Sequence, residues 1–376
     1  SLPSGKTATE ILDRLGRKPG RLAEVLRLAD GPITFSRHSI RLPGRPPVDD
    51  AVLVSFSRKG DRDELRAAAV AWVLAALVPG GKPVEERIGR VPVQRYRGKD
   101  RDVFVAAADR YVLVATDAFV LGRVLRRLSG KSGKSLVDRP EFAEARALRA
   151  RRGGALLWGT KAALPRALRG LGVARFAGVS DKMVVVPEKD GRLSRLTGTG
   201  AVPVAWSGAE PDGVWIGASL TPRGVLETAL AVLDREHLLE AMGIDGIAAG
   251  PMEFLWRPGR RSAVAFRVRE GADAQRVLGP MGDRAAVRSD GAIVASEDLS
   301  AWRDRMKVDA PPGPERKGGA RLTAPVSTLL GLLGRDDVKV GRRTTWVVRP
   351  GDGKVTVTSG PSEVGPVEIA VGALVP

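Results

Sequence analysis

The chain has 376 residues, no cysteine and two histidines, with a formal charge of +18 and 43% hydrophobic residues. That length is enough for two or three domains of ~150 residues each. The composition excludes disulfides, thiolate metal sites and thiol nucleophiles. It also excludes a disordered chain, which would be too poor in Val and Leu to form a core.

Residues 7–29 read as one or two short helices, split at Lys18-Pro19-Gly20. ITFSRHSIRL (33–42) alternates as a half-exposed strand does, and AVLVSFSRKG (51–60) is a second strand. The apolar run from Ala67 to Val78 falls short of the ~20 residues that span a bilayer. With Asp61, Asp63 and Glu64 at its start and Pro79-Gly80 at its end, it reads as a buried helix. Val91 to Ala106 has the pattern of a hairpin, and Val112 to Asp117 is a strand with a hydroxyl and an acid before the next helix.

Two amphipathic helices are predicted next, over about 118–128 and 140–150, joined by the loop 129–139. In the first, Phe119, Leu121, Val124, Leu125 and Leu128 face inward, and Arg123, Arg126 and Arg127 face outward. In the second, Phe142, Ala145 and Leu148 pack, while Arg146, Arg149, Arg151 and Arg152 are exposed. Lys131 and Lys134 on the loop complete a candidate anion-binding patch. Residues 121–180 hold 14 Lys/Arg against 3 Asp/Glu. Residues 1–210 hold 39 against 22, and the rest of the chain is nearly balanced. The charge is therefore regional, which is what a focused field requires.

Beyond the turn-rich linker 207–213 (SGAEPDG), VWIGASL (214–220) is a strand, and Thr221-Pro222 opens a helix to about Ala241. A second linker, PPGPERKGG, covers 311–319.

Four segments recur in the same order. AVLVSFSRKG (51–60) matches AVAFRVREG (263–271), and VLVATD (112–117) matches AIVASE (292–297). Gly153-Gly154-Ala155 with its continuation matches Gly318-Gly319-Ala320, and VVVPEKDGRLSRLTGTG (184–200) matches WVVRPGDGKVTVTSGPS (346–362). In the last pair, Asp190-Gly191 and Asp352-Gly353 are hairpin signals. The expected fold is α+β, in two degenerate tandem copies of mixed strands and helices, with mainly antiparallel sheets and helices packed on one face. The expected parts are an N-terminal helical segment 1–29, a first copy 30–206 with a basic insertion 129–152, the linker 207–213, and a shorter second copy 214–376.

The strand ends VATD and VASE, the stretch Leu136-Val137-Asp138-Arg139-Pro140-Glu141-Phe142 and the following GGALLWG strand carry a resemblance. The chain resembles, over about 50–290, a bacterial extracytoplasmic domain-of-unknown-function family built of repeated strand–helix–strand units. The second copy lacks the Asp-x-Pro-x-Phe segment that recurs in that family. The resemblance implies an extracytoplasmic, often membrane-tethered protein, and it implies no catalytic residues. Opening on Ser1 without a Met fits a mature or trimmed form that has lost a leader or anchor.

Tests for chemistry return little. Gly133-Lys134-Ser135 has Leu128 where a phosphate loop needs its first Gly, and Gly5-Lys6-Thr7 would need a Gly before Ser1. His38 sits on the alternating strand, and His237 sits near Glu236 and Glu240 on a helix, so neither joins a metal-ligand set. No GxSxG or SxxK motif occurs, and Asp49-Asp50 and Asp336-Asp337 read as solvated turn residues. The tryptophans read as packing residues.

The sequence thus points to a non-enzymatic binding or scaffold protein of the bacterial envelope, periplasmic or tethered, with no cofactor and no metal. Its basic surface would take anionic lipid, an acidic polymer or an acidic protein. Two readings stand beside it: a cytosolic binder of nucleic acid or another polyanion, and a carrier of an apolar ligand between a sheet and its helices.

Overall fold

The computed structural model describes residues 2–40, 48–130, 136–163, 173–187, 201–202, 214–218, 248–256, 262–268, 271, 273–289, 291–305, 316–317, 320–351 and 353–374. The fold is α+β with three antiparallel sheets. The expected helix 222–241, the linker 207–213, the turn Asp190-Gly191, His237, Lys131 and Lys134 lie outside the described residues.

Contacts divide the chain into two compact units. The first holds Ser1–Trp158, Ala177–Ser180 and Val367–Pro376, and the second holds Gly159–Phe176 and Asp181–Pro366. The division at Trp158/Gly159 comes earlier than the expected linker at 207–213, and the C-terminal segment belongs to the first unit.

The first unit opens with α1 (Gly5–Arg14) and α2 (Leu22–Leu28), separated at Pro19-Gly20 as the sequence predicts. Ser4 caps α1 by accepting from Thr7 N–H at 3.3 Å. Gly5 allows the two helices to approach closely, because a Cβ there would stand 1.7 Å from the Leu26 carbonyl oxygen.

The sheet of this unit comprises β1 (Thr34–Ile40), β2 (Val48–Ser57), β3 (Pro83–Ile88), β4 (Val91–Arg97), β5 (Asp102–Ala108) and β6 (Tyr111–Ala115). Their spatial order is β1-β2-β6-β5-β4-β3. Helix α3 (Arg62–Trp72) follows β2, runs on into a π-helical turn, Val73–Leu77, and stops before Pro79-Gly80. Helix α4 (Ala118–Leu128) follows β6.

Helices cover both faces of this sheet, where the sequence reading expects one. On one face Ala51, Leu53, Val93, Phe104, Ala106, Leu113 and Ala115 pack against Val120, Leu121 and Leu125 of α4. On the other, Phe56 meets Trp72 of α3 edge to face, with ring centroids 5.9 Å apart. Val103–Ala106 and Val112–Ala115 are buried without alternation, as strands covered on both faces must be.

Helix α5 (Pro140–Arg152) leads to β7 (Leu156–Thr160), β8 (Val173–Val179) and β9 (Lys182–Pro187). β10 (Ala201–Val202) and β11 (Val214–Ala218) follow, then β12 (Ala248–Trp256) and β13 (Ala263–Val268). Helix α6 (Gln275–Met281), β14 (Ala285–Val287), β15 (Ile293–Ser296) and a 3-10 segment, Leu299–Arg305, come next. The chain closes with β16 (Arg316–Lys317), β17 (Ala320–Pro325), α7 (Val326–Leu332), β18 (Arg343–Gly351), β19 (Lys354–Ser359) and α8 (Pro366–Leu374).

The long sheet has the order β14-β15-β13-β12-β11-β17-β18-β19-β9-β8-β7. β16 lies inside the expected linker 311–319, yet it pairs with β10 as a two-residue ladder. At residues 352–353 the hairpin signal is correct, since Gly351 pairs with Lys354 and Gly353 has φ +62°.

Part of the long sheet repeats the first in order. β12-β13-β15-β14 occupy the relative places of β1-β2-β6-β5, and α6 follows β13 as α3 follows β2. The strands β7, β8 and β9 neighbour one another as β17, β18 and β19 do. The β8-β9 hairpin turns at 180–181 and the β18-β19 hairpin between Gly351 and Lys354, while Asp190-Gly191 lies outside the described residues. The cap differs as well. Asp117 caps α4 by accepting from Val120 N–H at 2.9 Å, whereas in the second unit Asp298, not Glu297, accepts from Ala301 N–H at 3.3 Å.

Candidate functional site

Helix α4 spans the predicted residues because its start is capped by Asp117 and its apolar positions recur every three or four residues. Arg126 and Arg127 fall in its last turn, where cations complement the helix dipole. Arg123, Arg126 and Arg127 are exposed as expected. Phe119 is only half-buried, and the Arg123 guanidinium lies over its ring, 5.9 Å from the centroid.

Helix α5 begins with Pro140 and ends at Gly153, which has φ +67°. Ala145 is buried with Leu156 and Val179, and Phe142 meets Trp158 edge to face at 5.9 Å. Arg146, Arg151 and Arg152 are exposed, and Arg149 is half-buried. The expected patch therefore consists of two arginine-bearing helices seated on different apolar clusters. Each helix carries its arginines mainly toward its C-terminal half.

The sequence reading gives His38 a structural or surface role on an alternating strand; the residue is half-buried and stands in the field of α4. In the register of β1 and β2, Ser36 lies opposite Leu53 and His38 opposite Ala51. Leu53 and Ala51 belong to the core beneath α4, so Ser36 and His38 share that face. The Ser36 hydroxyl donates to the Leu53 carbonyl at 3.2 Å. It also meets His38 Nε2 at 3.0 Å, in a direction set by the imidazole tautomer. Burial lowers the His38 pKa from its ordinary value, as do the positive charges of Arg123 and Arg127, while Asp117 opposes them. The Asp117 carboxylate is engaged as the cap of α4. The signal in the sequence was the alternation of 33–42, which puts Ser36 and His38 on one face.

Other polar clusters have structural partners. Arg95 bridges Glu86 at 2.9 Å and Asp102 at 2.5 Å across neighbouring strands. In the second unit Arg288 donates to Glu253 at 2.7 Å, with both side chains buried. A shallow cleft of about 430 Å³ is lined by Asp283, Arg284, Glu297, Asp298 and Ser300. Asp298 already accepts from the Ser300 hydroxyl at 2.6 Å. Among the described residues no three or more His, Asp or Glu side chains are grouped to hold a metal, and no helix is long and apolar enough to cross a membrane. In comparisons with known proteins, no family model, no curated protein and no solved structure matches the chain.

Proposed function

We propose that this chain is a binding or scaffold protein of the bacterial envelope, and that the arginine face of α4, supplemented by α5, docks on anionic lipid headgroups. One observation carries this reading. Arg123, Arg126 and Arg127 project from the exposed side of a helix whose other side is locked into the core. The helix backbone is placed before binding, so only the exposed side chains are ordered on docking, and the attraction of three like charges is screened by salt. The envelope assignment is supported by the VATD, VASE and Asp-x-Pro-x-Phe residues that carry the family resemblance. We also infer a tandem duplication, supported by the shared strand order β1-β2-β6-β5 and β12-β13-β15-β14 and by the two three-strand groups that follow.

Co-sedimentation with vesicles tests the lipid reading. The protein is expected to bind vesicles containing phosphatidylglycerol in 0.1 M salt and to release them in 1 M, as the Debye length falls from ~10 Å to ~3 Å. At about 1 kcal/mol per basic residue near an anionic surface, reversal of Arg123, Arg126 and Arg127 to Glu weakens binding by at least ~100-fold. The thermal midpoint should fall only modestly: the three side chains are exposed, but Arg126 and Arg127 give up a dipole contribution of about 0.3–1 kcal/mol each. Equal binding to neutral vesicles, or no effect of the reversal, would sink the proposal.

A further inference from the structure

We infer that Phe119 inserts at the boundary between headgroups and acyl chains when α4 docks on a bilayer, a proposal that rests on reading the arginine face of α4 as a lipid-docking surface. The apolar pattern of the sequence assigns Phe119 to the inner side of the helix, and the structure puts it on the outer side. At about 100° per residue, Arg123 and Arg126 lie within about 40° of Phe119 around α4, whereas Leu121 and Leu125 lie at least about 120° away. Leu121 and Leu125 are buried in the core beneath the helix, and the half-buried Val124 and Leu128 pack against that core. Phe119 is half-buried too, but among the described residues it is not part of that cluster. It meets Arg123 instead, whose guanidinium lies over the ring, 5.9 Å from the centroid.

This placement gives one face two kinds of attraction. Arg123 and Arg126 are exposed and draw in anionic headgroups, an interaction that weakens with salt. The ring adds apolar area, which leaves water only where the partner has an apolar layer behind its charges. A bilayer has such a layer, and a soluble acidic polypeptide has none. The contact between the two side chains sets the depth. With the guanidinium over the ring, the cation stays among the headgroups while the ring beside it reaches the first acyl carbons.

The test uses the full chain. It has no cysteine, so Phe119→Cys and Ala118→Cys each carry a single environment-sensitive NBD fluorophore. Ala118 is exposed and lies about 100° around the helix from Phe119. Vesicles of phosphatidylglycerol mixed with phosphatidylcholine are the probe, and phosphatidylcholine alone is the control. On the anionic vesicles the fluorophore at 119 is expected to shift to the blue and brighten, and the one at 118 to change little. Phe119→Ala should weaken co-sedimentation about tenfold, as partial burial of one ring predicts. The factor should be the same at about 0.1 M and 0.2 M salt, because apolar attraction is not screened. Phe119→Trp should bind as the wild type does, and retention on polyglutamate should not respond to Phe119→Ala. Binding to anionic vesicles without a blue shift at 119 overturns the insertion and leaves the docking reading intact. If the wild type does not bind those vesicles, the docking reading falls and the insertion with it. Equal shifts at 118 and 119 would mean that the helix end enters as a whole. A loss on polyglutamate as large as on vesicles would make Phe119 only a support for Arg123, and an equal loss on oligothymidylate would assign the ring to base stacking. Each of these three results overturns the insertion.

Discussion

Arg288→Leu is expected to destabilise the second unit by about 3–5 kcal/mol. Arg288 reaches Glu253 at 2.7 Å, and the two side chains are only 5% and 9% exposed. Glu253 lies opposite Ala265 on β13, and Ala265 packs with Val294 and Trp302. Removing the guanidinium would take from the buried Glu253 carboxylate a charge that offsets its desolvation. The double replacement Glu253→Leu with Arg288→Leu removes both charges and should recover most of the loss. Urea unfolding followed by circular dichroism measures this. The single variant should lower the midpoint by roughly 1–2 M, given slopes of a few kcal/mol per molar. A single variant no less stable than the double would mean that the pair contributes nothing as a pair.

Trp72→Ala should cost the first unit about 3–5 kcal/mol. Trp72 is 2% exposed and meets Phe56, which is fully buried, on the sheet face opposite α4. Truncation removes the largest side chain from that layer and leaves a cavity that the rigid sheet cannot close. Trp158→Ala is the comparison, because Trp158 makes the same kind of edge-to-face contact with Phe142 while only half-buried. Its urea midpoint should fall by less than half as much. Equal losses in the two variants would contradict the assignment of Trp72 to the main core.

Helix ends were readable in the sequence because their causes are local. The predicted 118–128 is Ala118–Leu128, and the predicted 140–150 is Pro140–Arg152. Asp117, Pro140 and Gly153 act on neighbours within one turn, and the apolar spacing of each helix is complete within its own span. The split between α1 and α2 at Pro19-Gly20 was readable for the same reason. The runs Val103–Ala106 and Val112–Ala115 also held a signal that both sheet faces are covered, since a half-exposed strand would alternate. Helix α8 left no such trace. Its apolar residues run on without a polar face; in the fold Val367, Ile369 and Val371 are buried, while Arg14 reaches Glu368 at 2.9 Å and Arg17 the Gly372 carbonyl at 2.8 Å.

The sequence by itself determined the α+β class, the antiparallel hairpin at residues 352–353, the arginine faces of α4 and α5, and the exclusion of thiol chemistry. These follow from composition, and from periods and caps that act over a few residues. Only the tertiary structure decided that His38 faces the core beneath α4, that Glu253 pairs with Arg288, and that the C-terminal segment belongs to the first unit. It also decided that the basic helices are seated on separate clusters. The physical reason is that such pairings depend on strand register and on the rotation of each helix over its sheet. Both are set by how whole apolar faces fit together, and no local pattern encodes that fit.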